Sequence, residues 1–201
     1  MNKLFVSLLL TLGISGLAHA AGDAAAGQGK IAMCSACHSA DGNSMIPGFP
    51  KLAGQGGRYL LKQMQDIKSG ARPVVEMTGM LDAMTDQDLE DISAWYNSQK
   101  STLGAANPEL VARGQELYQG GKLADGMPAC IGCHSPKGEG IDLAIYPKLN
   151  GQHADYIAKQ LTDFREGDRT NDGDAMIMRS IAAKLSNKDI KAVSSYIQGL
   201  N

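Results

Sequence analysis

Cys34-Ser35-Ala36-Cys37-His38 and Cys130-Ile131-Gly132-Cys133-His134 are two copies of one pattern, C-x-x-C-H. The pattern reads as an attachment site for a c-type haem. Two thiols three positions apart reach the two vinyl groups of one porphyrin and form thioethers. The adjacent imidazole then meets the iron from the same side of the ring. The two stretches use all four cysteines and two of the four histidines of the 201-residue chain. Cys34, Cys37, Cys130 and Cys133 are therefore expected to carry two covalent haem c groups, with His38 and His134 as the first axial ligands. Pairing the thiols as two disulfides would leave the histidines unexplained. A zinc site would need both clusters on one metal, which the internal repeat described below argues against.

The N-terminus sets the compartment. Asn2 and Lys3 precede an apolar run from Leu4 to Leu17, and Ala18-His19-Ala20 is an A-x-A cleavage site. Residues 1–20 read as a signal peptide cut after Ala20. The run is short for a membrane span and has no basic flank after it. Export places the mature chain in the periplasm, and any membrane association is expected to be peripheral or through partners. Cleavage removes Lys3 from 19 basic residues against 21 acidic ones, leaving a net charge of −3. That balance excludes the basic face of a nucleic-acid binder. Few aromatics and many glycines give a small domain a thin core, which a large flat apolar cofactor would help to fill.

The chain repeats itself. Pro50-Lys51-Leu52-Ala53-Gly54-Gln55 recurs as Pro147-Lys148-Leu149-Asn150-Gly151-Gln152. Tyr59, Lys62, Gln63, Asp66 and Gly70 recur at the same spacing as Tyr156, Lys159, Gln160, Asp163 and Gly167. This is a duplicated small domain. The expected organisation is an N-terminal domain over residues 21–97, a linker of small and polar residues over 98–107, and a C-terminal domain over 108–201.

Both halves read as all-α. Asp23 caps a first helix expected to run to about Met33. Asn107-Pro108 is an N-cap and N1 pair opening its counterpart. Middle helices are expected over about 57–69 and 154–166, each ending at a glycine, Gly70 or Gly167. The last helix of each half starts at Thr85 or Ser186, with an acidic residue three positions on. Gly27 and Gly114 align, so a close crossing of first and last helices is expected against Trp95 or Tyr196. No alternating run reads as a strand.

What fills the sixth position of each iron decides between an electron carrier and an enzyme. Aligning the Thr85 and Ser186 caps places Met77 on Met178, each eight residues before its cap. Equivalent irons should use equivalent ligands, so Met77 and Met178 are preferred. Met80 and Met176, within three residues of them, remain competitors. Met33, Met64, Met84 and Met127 read as core gap-fillers. His153 reads as an exposed helix-start residue, because Gly56 stands at its place in the first half. Pro50 and Pro147 each offer a carbonyl that could orient a proximal imidazole. The acids Asp86, Asp88, Glu90 and Asp91 read as a solvated helix face.

These residues together resemble the cytochrome c4 family, dihaem periplasmic proteins built from two class I cytochrome c domains. The resemblance covers essentially the whole mature chain. It rests on both C-x-x-C-H motifs, the two Pro-Lys-Leu-x-Gly-Gln segments, Glu76-Met77-Thr78-Gly79-Met80 and the segment from Asn171 to Arg179. It implies His38 with Met77 and His134 with Met178 as iron ligands, and two haems facing each other across a pseudo-twofold interface. It also implies a monomeric electron carrier between a quinol-oxidising complex of the bc1 type and a terminal oxidase. The competing expectation is a periplasmic dihaem oxidoreductase, or its haem subunit, which would need one iron left open.

Overall fold

A computed structural model of the chain describes residues 22–201. The signal-peptide reading of residues 1–20 lies outside the described residues. The first half contains α1 (Ala24–Gln28), α2 (Ser35–His38), α3 (Gly57–Lys68) and α4 (Asp86–Ser98). The second contains α5 (Pro108–Gly120), α6 (Ile131–His134), α7 (Ala154–Glu166), α8 (Ile177–Ala182) and α9 (Asn187–Gln198). Short 3-10 turns occur at Val75–Met77, Leu123–Asp125 and Asp142–Ala144. The described residues hold no strand, and two isolated bridges join Lys122 to Met127 and Ile141 to Tyr146. Among the described residues no helix is long and apolar enough to cross a membrane.

Local chemistry explains the helix ends. Asp23 accepts from the Ala25 N–H at 2.8 Å, and Asn107 accepts from the Glu109 N–H at 3.0 Å ahead of Pro108. Thr85 with Asp88, and Ser186 with Asp189, form complete capping boxes, each satisfying two backbone donors that the helix itself cannot. Gly70 and Gly167 take φ of 80° and 85° just past α3 and α7, the left-handed conformation that lets a helix turn away at little cost.

The first helix is shorter than its capping and periodicity suggest. It stops at Gln28, and the chain turns through Gly29 before a separate turn begins at Ile31, whose carbonyl accepts from the Ser35 N–H at 2.9 Å. When Gly27 is aligned on Gly114, Gly29 falls where α5 has Glu116. A second glycine within three residues weakens α1, and Lys30 is drawn to Asp88 and Asp91 of α4, both at 2.6 Å.

In each half the first and last helices cross at the aligned glycine. A Cβ on Gly27 would collide with the Asp91 carbonyl and stand 3.0 Å from Trp95 Cβ. A Cβ on Gly114 would collide with Tyr196 Cβ and the Ala192 carbonyl. Beside the crossings lie the cores. The first holds Ile31, Leu60, Ile92 and Tyr96. The second is larger and includes Leu117, Tyr118, Met127, Ile157, Leu161 and Val193. Met127, Met64 and Met84 are core or core-edge residues as expected, whereas Met33 is exposed.

The crossings are also ionic. Asp91 is buried, not solvated as the acidic run suggests: it accepts from Lys30, from the Asp23 N–H at 2.8 Å and from Gln87 at 2.9 Å. In the second half Arg113 of α5 reaches Asp189 of α9 at 2.7 Å. Burial pushes the Asp189 carboxyl up, but hydrogen bonds from Arg113 and Ser186 outweigh it and hold it at about 2.

Two outcomes follow. Gly27→Ala and Gly114→Ala are each expected to cost about 1–3 kcal/mol by overpacking, read as a lower midpoint in denaturant unfolding. The Asp189 carboxyl titrates lower folded than unfolded, so its contribution is present above the ordinary carboxylate range and is lost as pH falls through about 2. Asp189→Asn should therefore lower stability at neutral pH by on the order of 1–2 kcal/mol and flatten the loss of stability between about pH 4 and pH 2, measured by unfolding across pH.

Candidate haem-binding sites

Each C-x-x-C-H stretch folds as one helical turn, α2 or α6, ending on its histidine. The chain leaves through Ser39 and Ser135 at φ of 66° and 69°, a conformation that non-glycine residues rarely adopt. Tyr118 and Trp95 fasten the exits: the Tyr118 hydroxyl donates to the Ser135 carbonyl at 2.7 Å, and the Trp95 indole donates to the Ala40 carbonyl at 3.0 Å. Cys34 packs against the first core and Cys130 against the second. No disulfide joins any of the four cysteines among the described residues.

The two histidines are buried and held identically. His38 Nδ1 lies 2.9 Å from the Pro50 carbonyl, and His134 Nδ1 lies 3.0 Å from the Pro147 carbonyl. A carbonyl can only accept, so Nδ1 carries the proton and Nε2 keeps its lone pair. Among the described residues Nε2 of neither ring has a hydrogen-bond partner. Burial lowers both imidazole pKa values, with the proline carbonyl acting in the opposite sense. The result is a neutral ring with one nitrogen fixed and the other available, the form a metal ligand requires. Two thiols three residues apart, an oriented neutral imidazole and a thin apolar core beside them fit a covalently tethered, iron-bearing porphyrin.

The methionines occupy different local structures. Met77 closes the 3-10 turn Val75–Met77 and is half-buried, as is Met80. Met178 sits in the first turn of α8 and packs against the second core. Met176 is 48% exposed and takes a φ of 46° just before that helix. No sequence signal announced α8, since six residues after an Asp- and Gly-rich loop carry too little periodicity to read.

The segments that orient the histidines also join the two halves. The Gln152 side chain accepts from the Lys51 N–H at 2.9 Å and donates to the Lys51 carbonyl at 2.8 Å. Gln55 accepts from the Lys148 N–H at 2.7 Å and donates to the Lys148 carbonyl at 2.9 Å. Each repeated Pro-Lys-Leu-x-Gly-Gln stretch therefore offers a peptide unit at its lysine and a matching amide at its glutamine. The sequence shows these stretches as a repeat, but the reciprocal pairing appears only when two copies meet. His153 is at this seam too. It is half-buried and its Nε2 donates to the Ser44 carbonyl at 2.8 Å, so it is an inter-half contact and not the exposed residue expected. Asp142 caps α3 across the seam by accepting from the Arg58 N–H at 3.1 Å. No group of three or more His, Cys, Asp or Glu side chains converges as a metal site among the described residues.

Known proteins share this architecture. The sequence model of the cytochrome c family, described as "Cytochrome c", matches residues 24–100 and 111–201. The chain is 72% identical to a cytochrome c4 of Azotobacter vinelandii over the full length of both. Its structure matches that of reduced recombinant cytochrome c4 from Pseudomonas stutzeri with a TM-score of 0.89 at 67% identity, covering 90% of this chain and all of the other. A thiosulfate dehydrogenase electron acceptor of Stutzerimonas stutzeri is 35% identical over 81% of this chain and 76% of its own length.

The seam can be tested directly. Gln55→Ala or Gln152→Ala removes both bonds of one clamp and leaves the N–H and carbonyl of a half-buried lysine unpaired, at about 1–3 kcal/mol. Differential scanning calorimetry should then resolve two transitions where the parent protein shows more closely coupled unfolding.

Proposed function

Because the chain belongs to the cytochrome c family and, within it, to the dihaem cytochromes c4, we propose that it carries one electron at each of two irons closed by histidine and methionine. Each C-x-x-C-H motif holds one covalently attached haem c, which supplies a one-electron iron couple. In this reading Cys34 and Cys37 tether the first, and Cys130 and Cys133 the second. His38 pairs with Met77, and His134 pairs with Met178. The observation that carries the assignment is the pair of buried neutral imidazoles, each with Nδ1 committed to a proline carbonyl and Nε2 left free. The core packing of Met178 and the exposure of Met176 favour the former in the second half, and the internal repeat extends the choice to Met77.

A methionine opposite each histidine leaves no position for oxygen, peroxide or substrate, so the chain acts as a carrier and not as an enzyme. Methionine ligation also raises the potential relative to a second histidine. The polypeptide excludes water and holds the ligands, which keeps reorganisation small. We assign residues 1–20 to a signal peptide cleaved after Ala20, and place the mature protein in the periplasm. Its N-terminal domain spans 21–97, its linker 98–107 and its C-terminal domain 108–201. The functional monomer passes electrons from a quinol-oxidising complex of the bc1 type to a terminal oxidase. Likeness to a thiosulfate dehydrogenase electron acceptor supports a second donor, a periplasmic dehydrogenase, feeding the same two irons.

Replacing Met77 or Met178 by alanine is expected to abolish the sulfur-to-iron charge-transfer absorption of one haem, while replacing Met80 or Met176 leaves both bands. An unchanged spectrum in Met77→Ala would reassign that ligand. Oxidised protein should bind cyanide and azide slowly. Fast stoichiometric binding at one haem would favour the oxidoreductase reading.

A further inference from the structure

His153 belongs to the second half, yet its ring is committed to the first. Its Nε2 donates to the Ser44 carbonyl at 2.8 Å. Ser44 is 1% exposed, and its hydroxyl donates to the Cys37 carbonyl at 2.9 Å, with the Ile46 carbonyl more distant at 3.3 Å. The same hydroxyl oxygen accepts from the Ile46 N–H at 3.2 Å. The Cys37 carbonyl is part of the peptide unit that joins this cysteine to His38. The N–H of that unit, on His38, donates to the Cys34 carbonyl at 2.9 Å. Two hydrogen bonds in series thus run from a ring in the second half to the peptide unit that carries the histidine of the first motif.

The reach of the ring is preset. His153 is the N-cap residue of α7. Its N–H donates at 3.0 Å to the Gln152 side-chain oxygen, the same oxygen that holds the Lys51 N–H. A carbonyl only accepts, so the Ser44 bond requires the proton on Nε2 of His153.

The relation is not reciprocal. Gly56 stands at the place of His153 in the first half, and Gly140 stands at the place of Ser44 in the second, each of the latter pair six residues past its motif histidine. The second half ties this loop with its own backbone. The Gly140 N–H donates to the His134 carbonyl at 3.0 Å, and Ile141 and Tyr146 exchange bonds at 2.9 and 3.1 Å just ahead of Pro147. In the first half residues 45–49 carry a turn, Phe49 N–H to the Ile46 carbonyl at 2.9 Å, and the Ser44 hydroxyl anchors its start.

We propose that His153 is a positioning residue for the first haem, supplied by the second half. Ser44 fixes the peptide before His38 and opens the loop that returns Pro50 to the His38 ring. His153 therefore restrains that ring both through its own backbone and through its Nδ1 partner. Groups that orient a ligating imidazole tune the metal it binds, and the plane of the ring sets how the unpaired electron of an oxidised low-spin iron spreads over the porphyrin. Loss of His153 should alter the first haem and leave the second as it is. The proposal rests on the carrier reading above.

The test is proton NMR of the oxidised, full dihaem protein, reading the hyperfine-shifted methyl resonances of each haem. His153→Ala should shift the resonances of the haem tethered at Cys34 and Cys37 and leave those of the other haem in the parent pattern. Ser44→Ala should shift the same set. The double variant should move it no further than the larger single change, because both substitutions cut one chain of bonds. His153→Gln, whose amide can donate to the same carbonyl, should return the shifts toward the parent values. An unmoved first haem, equal shifts at both haems, or additive shifts in the double variant would overturn the proposal. If His153→Ala loads a single haem, a haem missing from Cys34 and Cys37 supports the proposal, and one missing from Cys130 and Cys133 overturns it. A parent protein without the low-spin pattern at both haems would instead overturn the carrier reading.

Discussion

A hydrogen bond from a buried imidazole to a proline carbonyl, made once in each half, is the constraint on which the sites depend. At 2.9 Å for His38 and 3.0 Å for His134, it chooses the tautomer and fixes the plane of the ring. The nitrogen left over can bind a metal only because the other is committed. The turn that carries the histidine is short and leaves through a positive-φ serine, so it cannot orient the ring alone. The chain therefore spends its longest ordered loop in each half on returning a proline to face that ring.

That returning loop also explains why the two halves do not behave as independent beads. The residue after each proline is a lysine whose backbone N–H and carbonyl are both paired by the glutamine of the opposite copy. Ligand orientation and inter-half docking are thus one residue apart in sequence. A displacement at the seam reaches the imidazole through a single peptide. The capping boxes and glycine crossings hold each half rigid, so the seam is met by two preformed surfaces.

Much of this was legible from residues alone. The covalent haem c of each half follows from spacing, because attachment demands two thiols and an imidazole in fixed order. The caps at Asp23, Thr85, Asn107 and Ser186 are local bonds, as are the terminating Gly70 and Gly167. The crossing glycines were visible because the duplication let one half be read against the other. The first helix was read too long, because Gly29 counts for more when Lys30 has a partner on α4. Asp91 was read as solvated and His153 as exposed, because their partners lie 61 and 109 residues away.

Local pattern and internal repetition determined the cofactor, the helical class and the duplicated architecture, since each of these is written within about a dozen residues and written twice. Which nitrogen of His38 and His134 is free, how Gln55 and Gln152 exchange bonds, and that His153 holds the Ser44 carbonyl were decided only by the tertiary structure. The physical reason is range. A hydrogen bond across the seam joins residues about a hundred positions apart, and nothing in either residue's own neighbourhood specifies the other until both halves are folded and docked.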